Sequence, residues 1–251
     1  MVSSYNKKMI ISGDIVEIYE YENPILEGYD IKKYHECGRG YTASEEDKKI
    51  NRAKTLNRAS NRVRRLINAN MGEHSKFITL TFADNVTDLK KANYEWKKFR
   101  QRLEYELGYK LQYVAVIEFQ KRGAIHYHVV MFNAPYIKNK RLNELWGHGF
   151  VKINKIKHVD NVGAYVTKYM TKDCNDDRLL GEKMWFSSKG LEEPKEIKDK
   201  KSIENLEDSL YWFQTYSNTF SNDYNSIKYT QYNINENSKQ FKFRQQLAVN
   251  K

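Results

Sequence analysis

The strongest constraint on the fold lies between residues 77 and 172, where the spacing of apolar residues changes period in a fixed order. Phe77-Ile-Thr-Leu-Thr-Phe82 alternates and is rich in β-formers, which predicts a strand. Residues 87–107 place Trp96, Phe99, Leu103 and Leu107 three or four apart, the stripe of a helix with one buried face. Tyr113-Val-Ala-Val-Ile-Glu-Phe119 is a second strand, Lys121-Arg122-Gly123 a turn, and residues 124–132 a third strand. A short helix over 139–146 ends at Gly147, residues 149–154 form a fourth strand, and 159–172 a last helix. The order β-α-β-β-α-β-α is that of the split βαβ unit. It predicts an α+β fold, a ferredoxin- or RRM-like antiparallel sheet with helices on one face and the opposite face left for a site.

The flanks carry weaker signals. Residues 9–20 read as a strand or hairpin and 21–44 as loop. From Ser44, a suitable N-cap followed by Glu45, Glu46 and Asp47, a helix runs to about Asn70. Its middle holds Arg52, Lys54, Arg58, Arg62, Arg64 and Arg65 without an acid between them, a pattern suited to phosphate contact or to a solvated face. Beyond Lys172, Met184-Trp-Phe186 suggests a strand and Lys195–Lys201 an exposed loop. Residues 211–243, rich in Tyr, Asn, Ser and Phe, read as short strands or a tail whose aromatics pack or stack on bases. The division expected is an N-terminal extension with a basic helix (1–73), a catalytic core (74–173) and a C-terminal aromatic and polar extension (174–251).

Lys and Arg number 43 against 32 Asp and Glu, and the pI is near 9.3. That excess favours a polyanionic partner. No apolar window reaches membrane-spanning length and no basic-then-apolar leader opens the chain, so neither a membrane partner nor secretion is expected. The two cysteines, Cys37 and Cys174, are far apart and fit a reduced, cytoplasmic setting.

Chemistry concentrates on the hairpin and the last helix. Strand alternation puts His126 and His128 on one face and Tyr127 on the other. If the turn centres on Arg122, Glu118 lies opposite His126, and the carboxylate and two imidazoles share a face. Such a set can hold a divalent metal and leave positions open for substrate. On the helix, Tyr165 and Tyr169 stack on a flank of the stripe formed by Val159, Val162, Gly163, Val166 and Met170, with Lys168 and Lys172 alongside. A metal beside a phenol suits phosphodiester transesterification: a phosphotyrosine keeps the energy of the broken linkage, so a 3′-hydroxyl can reverse the step.

Three ordered segments, Phe77–Phe82, Gly123-Ala-Ile-His-Tyr-His128 and Tyr165-Val-Thr-Lys-Tyr-Met-Thr-Lys-Asp173, resemble the HUH endonucleases, specifically rolling-circle replication initiators of small bacterial plasmids and phages. Leu145-Trp-Gly-His-Gly-Phe-Val151 is similar to the phage and bacterial branch. The resemblance covers about residues 74–173 and implies a nicking and ligating DNA endonuclease, with His126, His128 and Glu118 as ligands of Mg²⁺ or Mn²⁺. Tyr169 is implied as primary nucleophile, Tyr165 as the second tyrosine, and Lys168 and Lys172 as the lysines beside them. Candidate DNA contacts are Arg58, Arg62, Arg64, Arg65 and the turn cations Lys121 and Arg122. The implied partners are single-stranded and origin DNA. With no Gly-x-x-x-x-Gly-Lys-Ser/Thr loop in the sequence, a separate host helicase and polymerase are expected as well. A transposase or relaxase of the same fold is the alternative, and the tyrosines following the histidines argue against a typical relaxase. A non-enzymatic nucleic-acid-binding module is a third reading, which needs neither the paired histidines nor the opposed glutamate.

Overall fold

The computed structural model describes residues 3–28, 44–120, 122–156, 159–171, 182–210 and 213–235. The elements, in chain order, are β1 (Ser3–Ser12), β2 (Ile15–Glu27), α1 (Glu45–Asn70), β3 (Lys76–Thr81), α2 (Leu89–Leu107), β4 (Tyr113–Phe119), β5 (Ile125–Met131), α3 (Asn139–Trp146), β6 (Val151–Asn154), α4 (Val162–Thr171), β7 (Trp185–Ser187), β8 (Lys195–Ile197), α5 (Lys200–Leu210), β9 (Gln214–Ser221) and β10 (Ser226–Asn233). They form an α+β protein with two antiparallel five-stranded sheets, in two compact units: residues 52–192, and residues 1–51 with 193–251.

The 52–192 unit holds the sheet β6-β3-β5-β4-β7. Its β4–β5 hairpin has the register expected from the turn: Phe119 opposes Ile125, Glu118 opposes His126 and Val116 opposes His128. Gly123 closes the turn at φ 89°, a conformation glycine adopts without a Cβ penalty, and donates to the Gln120 carbonyl at 2.7 Å. On one face, Ile78, Leu80, Ile117, Tyr127 and Val129 pack against Trp96, Phe99 and Leu103 of α2 and Leu142, Leu145 and Trp146 of α3. Helix α2 begins two residues later than the periodicity suggests, because the Asp88 side chain caps it by accepting from the Lys90 and Lys91 amides.

The expectation of helices on one face only is corrected. The opposite face carries Phe77, Val114, Val116 and Val130, which are covered by Val63, Leu66 and Ile67 of α1 and Val162, Val166 and Met170 of α4. Four large apolar residues on that face cannot stay in water cheaply, so two more helices bury them. The α1–α4 contact depends on Gly163. A Cβ there would lie 2.2 Å from the Arg64 carbonyl oxygen and 2.7 Å from Asn68 Oδ1. Without one, the Gly163 amide donates to buried Asn68 Oδ1 at 2.8 Å, and Asn68 Nδ2 donates to Asn161 Oδ1 at 2.9 Å. Asn161 in turn caps α4, accepting from the Ala164 amide.

The other unit holds the sheet β8-β1-β2-β10-β9. Strands β1 and β2 form a hairpin that turns at Gly13 (φ 57°), and the second strand runs on to Glu27 through part of the segment read as loop. Met9, Val16, Ile18 and Tyr232 pack with Ile203 and Leu210 of α5. Where the sequence suggested two separate extensions, strands from both flanks pair into this one sheet. Residues 195–201, read as an exposed loop, supply β8 and the start of α5, because Ile197 on β8 and Ile203 on α5 pack into that core. The aromatic stretch forms the β9–β10 hairpin. Ser44 caps α1 as expected, its hydroxyl accepting from the Asp47 amide while the Asp47 carboxylate accepts from Ser44. Among the described residues no helix is long and apolar enough to cross a membrane.

Candidate active site

The site is built on the face shared by β3, β5 and β4. His126 and His128 are buried there, opposite Thr81 and Thr79 on one side and Glu118 and Val116 on the other. Three hydrogen bonds in series orient His128. Asn154 Nδ2 donates to Thr79 Oγ1 at 3.0 Å, Thr79 Oγ1 meets His128 Nδ1 at 3.2 Å, and His128 Nε2 meets Glu118 Oε2 at 2.6 Å. Since the amide can only donate, the hydroxyl proton points to Nδ1, and the imidazole donates from Nε2 to the carboxylate.

Helix α4 brings the phenols to this chain. The Tyr169 ring stacks on the His128 ring, centroids 3.6 Å apart and planes 15° off parallel. Its hydroxyl donates to the Tyr165 hydroxyl at 3.4 Å. The Tyr165 ring meets Phe77 edge-on at 5.9 Å, and Lys168 Nζ lies 5.9 Å from the Tyr165 ring centroid. Both tyrosines are half-buried, so neither is lost to the interior. Burial, the Tyr165 hydroxyl and the Glu118 charge together push the Tyr169 phenol far above its ordinary range.

Burial also holds His126 down at about 4, helped by His128 and Arg122 and opposed by Glu118. The neutral imidazole keeps a lone pair available near neutral pH. A linkage prediction follows for the metal-free protein. Between pH ~6.5 and ~4 the unfolded chain takes up a proton that the folded chain refuses, so stability falls as pH falls through this window and levels off below it. From pH 7 to pH 5 the expected loss is about 2 kcal/mol. Urea midpoints for the wild type and a His126→Asn variant check it: the variant should lack this part of the pH dependence, and parallel curves would contradict the assignment.

In donor type and strand register, His126, His128 and Glu118 suit a divalent ion, and a mixed nitrogen and oxygen set suits Mn²⁺ better than Mg²⁺. Their donor atoms do not converge, and among the described residues no three His, Cys, Asp or Glu side chains form a metal-holding group. The Glu118–His128 contact accounts for this. At 2.6 Å its two atoms share a proton, whereas two donors on one ion, each ~2.1 Å from it, stand about 3 Å apart.

The remaining candidates are dispersed. Arg122 sits at the hairpin turn, donating to the Phe82 carbonyl and to Gln120. Arg58 and Arg62 are exposed on α1, and Arg64 and Arg65 are half-buried. Lys121 and Lys172 lie outside the described residues. Sequence reasoning missed Thr79 and Asn154, which orient His128. The signal was present in Phe77-Ile-Thr-Leu-Thr-Phe82, where threonine alternates into a strand that is otherwise apolar. It also missed Asn68, whose role requires two helices distant in sequence to meet.

Tyr127 faces away from the site, stacked on Trp96 with its hydroxyl on Asn93 Oδ1 at 2.7 Å. The motif Leu145–Val151 bridges α3 and β6: the Trp146 indole donates to the Thr81 carbonyl at 2.7 Å and Gly147 ends α3 at φ 73°. No curated protein and no solved structure shows significant similarity to the chain. Residues 75–174, the stretch that supplies β3 through α4, match the family model described as Replication-associated protein ORF2, and the match is consistent with a Rep-type replication initiator.

Proposed function

We propose that the chain nicks and rejoins single-stranded DNA at a replication origin through a tyrosine nucleophile, as a rolling-circle initiator. The observation that carries this reading is the Tyr169 ring stacked on His128, which is hydrogen-bonded to Glu118. A nucleophile, two imidazoles and a carboxylate meet on one sheet face, within the segment that matches the replication-associated family.

The step exchanges one phosphodiester for another. The Tyr169 oxygen bonds to phosphorus, the 3′-oxygen leaves and takes up a proton, and the phenolic proton passes first toward the Tyr165 oxygen. The product is a 5′-phosphotyrosine and a free 3′-hydroxyl, and the same hydroxyl can reverse the reaction. Mn²⁺ or Mg²⁺ held by His126, His128 and Glu118 would draw charge from the scissile phosphate. Thr79, able to donate or accept, can keep His128 oriented in either tautomer.

Incubation with labelled single-stranded origin DNA and Mn²⁺ tests the reading. A covalent protein–DNA band and a 3′ end that a polymerase extends are expected. Both should be lost on chelation and in a His128→Ala variant. Cleavage by that variant at the wild-type rate, or products with a 5′-hydroxyl, would contradict it.

Charge adds a prediction on binding. The exposed Arg58 and Arg62 are placed to contact phosphates, each releasing counterions. An Arg58→Gln, Arg62→Gln double variant should reduce the slope of log K against log salt by about 1.4 for a single strand. Anisotropy titrations at several salt concentrations measure this, and an unchanged slope would assign that face of α1 to solvent.

A further inference from the structure

The Leu145–Val151 motif has no part in the chemistry above, yet its residues fix one backbone position. The Thr81 amide and hydroxyl both donate to the Phe150 carbonyl, at 3.1 and 2.9 Å, and the Phe150 amide returns to Thr81 Oγ1 at 3.3 Å. Gly149 permits this approach, since a Cβ there would lie 2.2 Å from the Thr81 carbonyl oxygen. The same carbonyl accepts from Trp146, and the Ala83 amide donates to the His148 carbonyl at 2.8 Å. For all this anchoring, the Phe150 ring remains 60% exposed. A single exposed phenylalanine is ordinary. One whose backbone is held by three hydrogen bonds to the strand carrying the site is placed for contact.

Its position follows from register. Val151 opposes Leu80 in the α2–α3 core, so alternation turns Phe150 and Lys152 to the other face. Phe150 continues the row Thr81, His126, Glu118, and Lys152 opens the row Thr79, His128, Val116. Two strand spacings put Phe150 about 10 Å from His126. Lys152 is exposed and pairs with no acid among the described residues.

We propose that Phe150 is the stacking platform for a base of the single strand beside the scissile phosphate, and that Lys152 contacts the neighbouring phosphate. This rests on the proposed strand-transfer reading for its substrate. An unpaired base offers a π-face to any aromatic ring, and a cation two residues along meets the backbone as it tracks the strand edge. Phe150 is then a positioning residue that sets the register of the strand at the phenol.

The test is fluorescence anisotropy in chelator, with no cleavage, on two probes of about 20 nucleotides: an oligothymidylate and a wholly abasic strand with the same phosphates. Phe150→Ala should weaken binding on the order of 10-fold on the first probe and leave the second unchanged. Phe150→Trp should restore affinity, and Lys152→Gln should weaken both probes alike. Wild-type affinity of Phe150→Ala for the oligothymidylate, or equal loss on both probes, would overturn the proposal. Because binding is read without metal or chemistry, failure of the nicking reaction leaves this result independent.

Discussion

Replacing Gly163 by alanine should detach α4 from α1 and abolish activity together with stability. The added Cβ would sit 2.2 Å from a backbone carbonyl and 2.7 Å from the Asn68 amide oxygen, and neither can withdraw freely. The carbonyl belongs to the interior of α1, and Asn68 is buried and committed to Gly163 and Asn161. Overpacking of this kind costs ~1–3 kcal/mol, and separating the helices also leaves buried amide groups unpaired at ~1–3 kcal/mol. A total of about 3 kcal/mol or more is therefore expected. The functional effect should exceed the stability effect. Tyr165 and Tyr169 lie on the displaced helix, and a misplacement of ~1 Å at a reacting group can cost ~100-fold in rate. Denaturation curves and nicking rates for Gly163→Ala check both points. A variant as stable and as active as the wild type would show that α4 is not held in this way.

Tyr169→Phe should reduce strand transfer by at least about a thousand-fold, as loss of a covalent nucleophile does elsewhere, while binding of single-stranded DNA stays unchanged. The ring that stacks on His128 is kept and only the attacking oxygen is removed. Tyr165→Phe should cost far less, about tenfold, since it removes the acceptor of the Tyr169 proton rather than the nucleophile. If the two variants lose activity equally, the tyrosines act as alternates and the distinction between them fails. Single-turnover nicking rates on one origin oligonucleotide separate the cases.

Much of the site was legible in the sequence because short-range rules govern it. Period-two alternation put His126 and His128 on one face, and a turn centred on Arg122 set Glu118 against His126. Helical spacing put Tyr165 and Tyr169 side by side. The helices on the second face were not legible. The apolar residues Phe77, Val114, Val116 and Val130 alternate with others equally apolar, so each strand reads as buried on both sides. The cover for that face comes from α1, whose Arg-rich sequence masks the stripe Ala59, Val63, Leu66 and Ile67. Pairing of the N- and C-terminal strands was beyond local rules for the same reason, since β2 and β10 meet across more than half the chain. The Thr79–His128–Glu118 series combines two strand registers at once. Only the second of those follows from a tight turn.

The central claim is that the Tyr169 phenol, held against His128 beside Glu118, becomes the covalent carrier of the DNA strand. Peptide mass mapping of the trapped adduct tests it most directly: the protein is incubated with origin DNA and Mn²⁺, then digested with nuclease and protease. The account predicts a phosphonucleotide mass on Tyr169 in the α4 peptide and none in a chelated control. A nucleotide on Tyr165 with Tyr169 unmodified, on a residue outside α4, or on no residue while nicking proceeds, would contradict it.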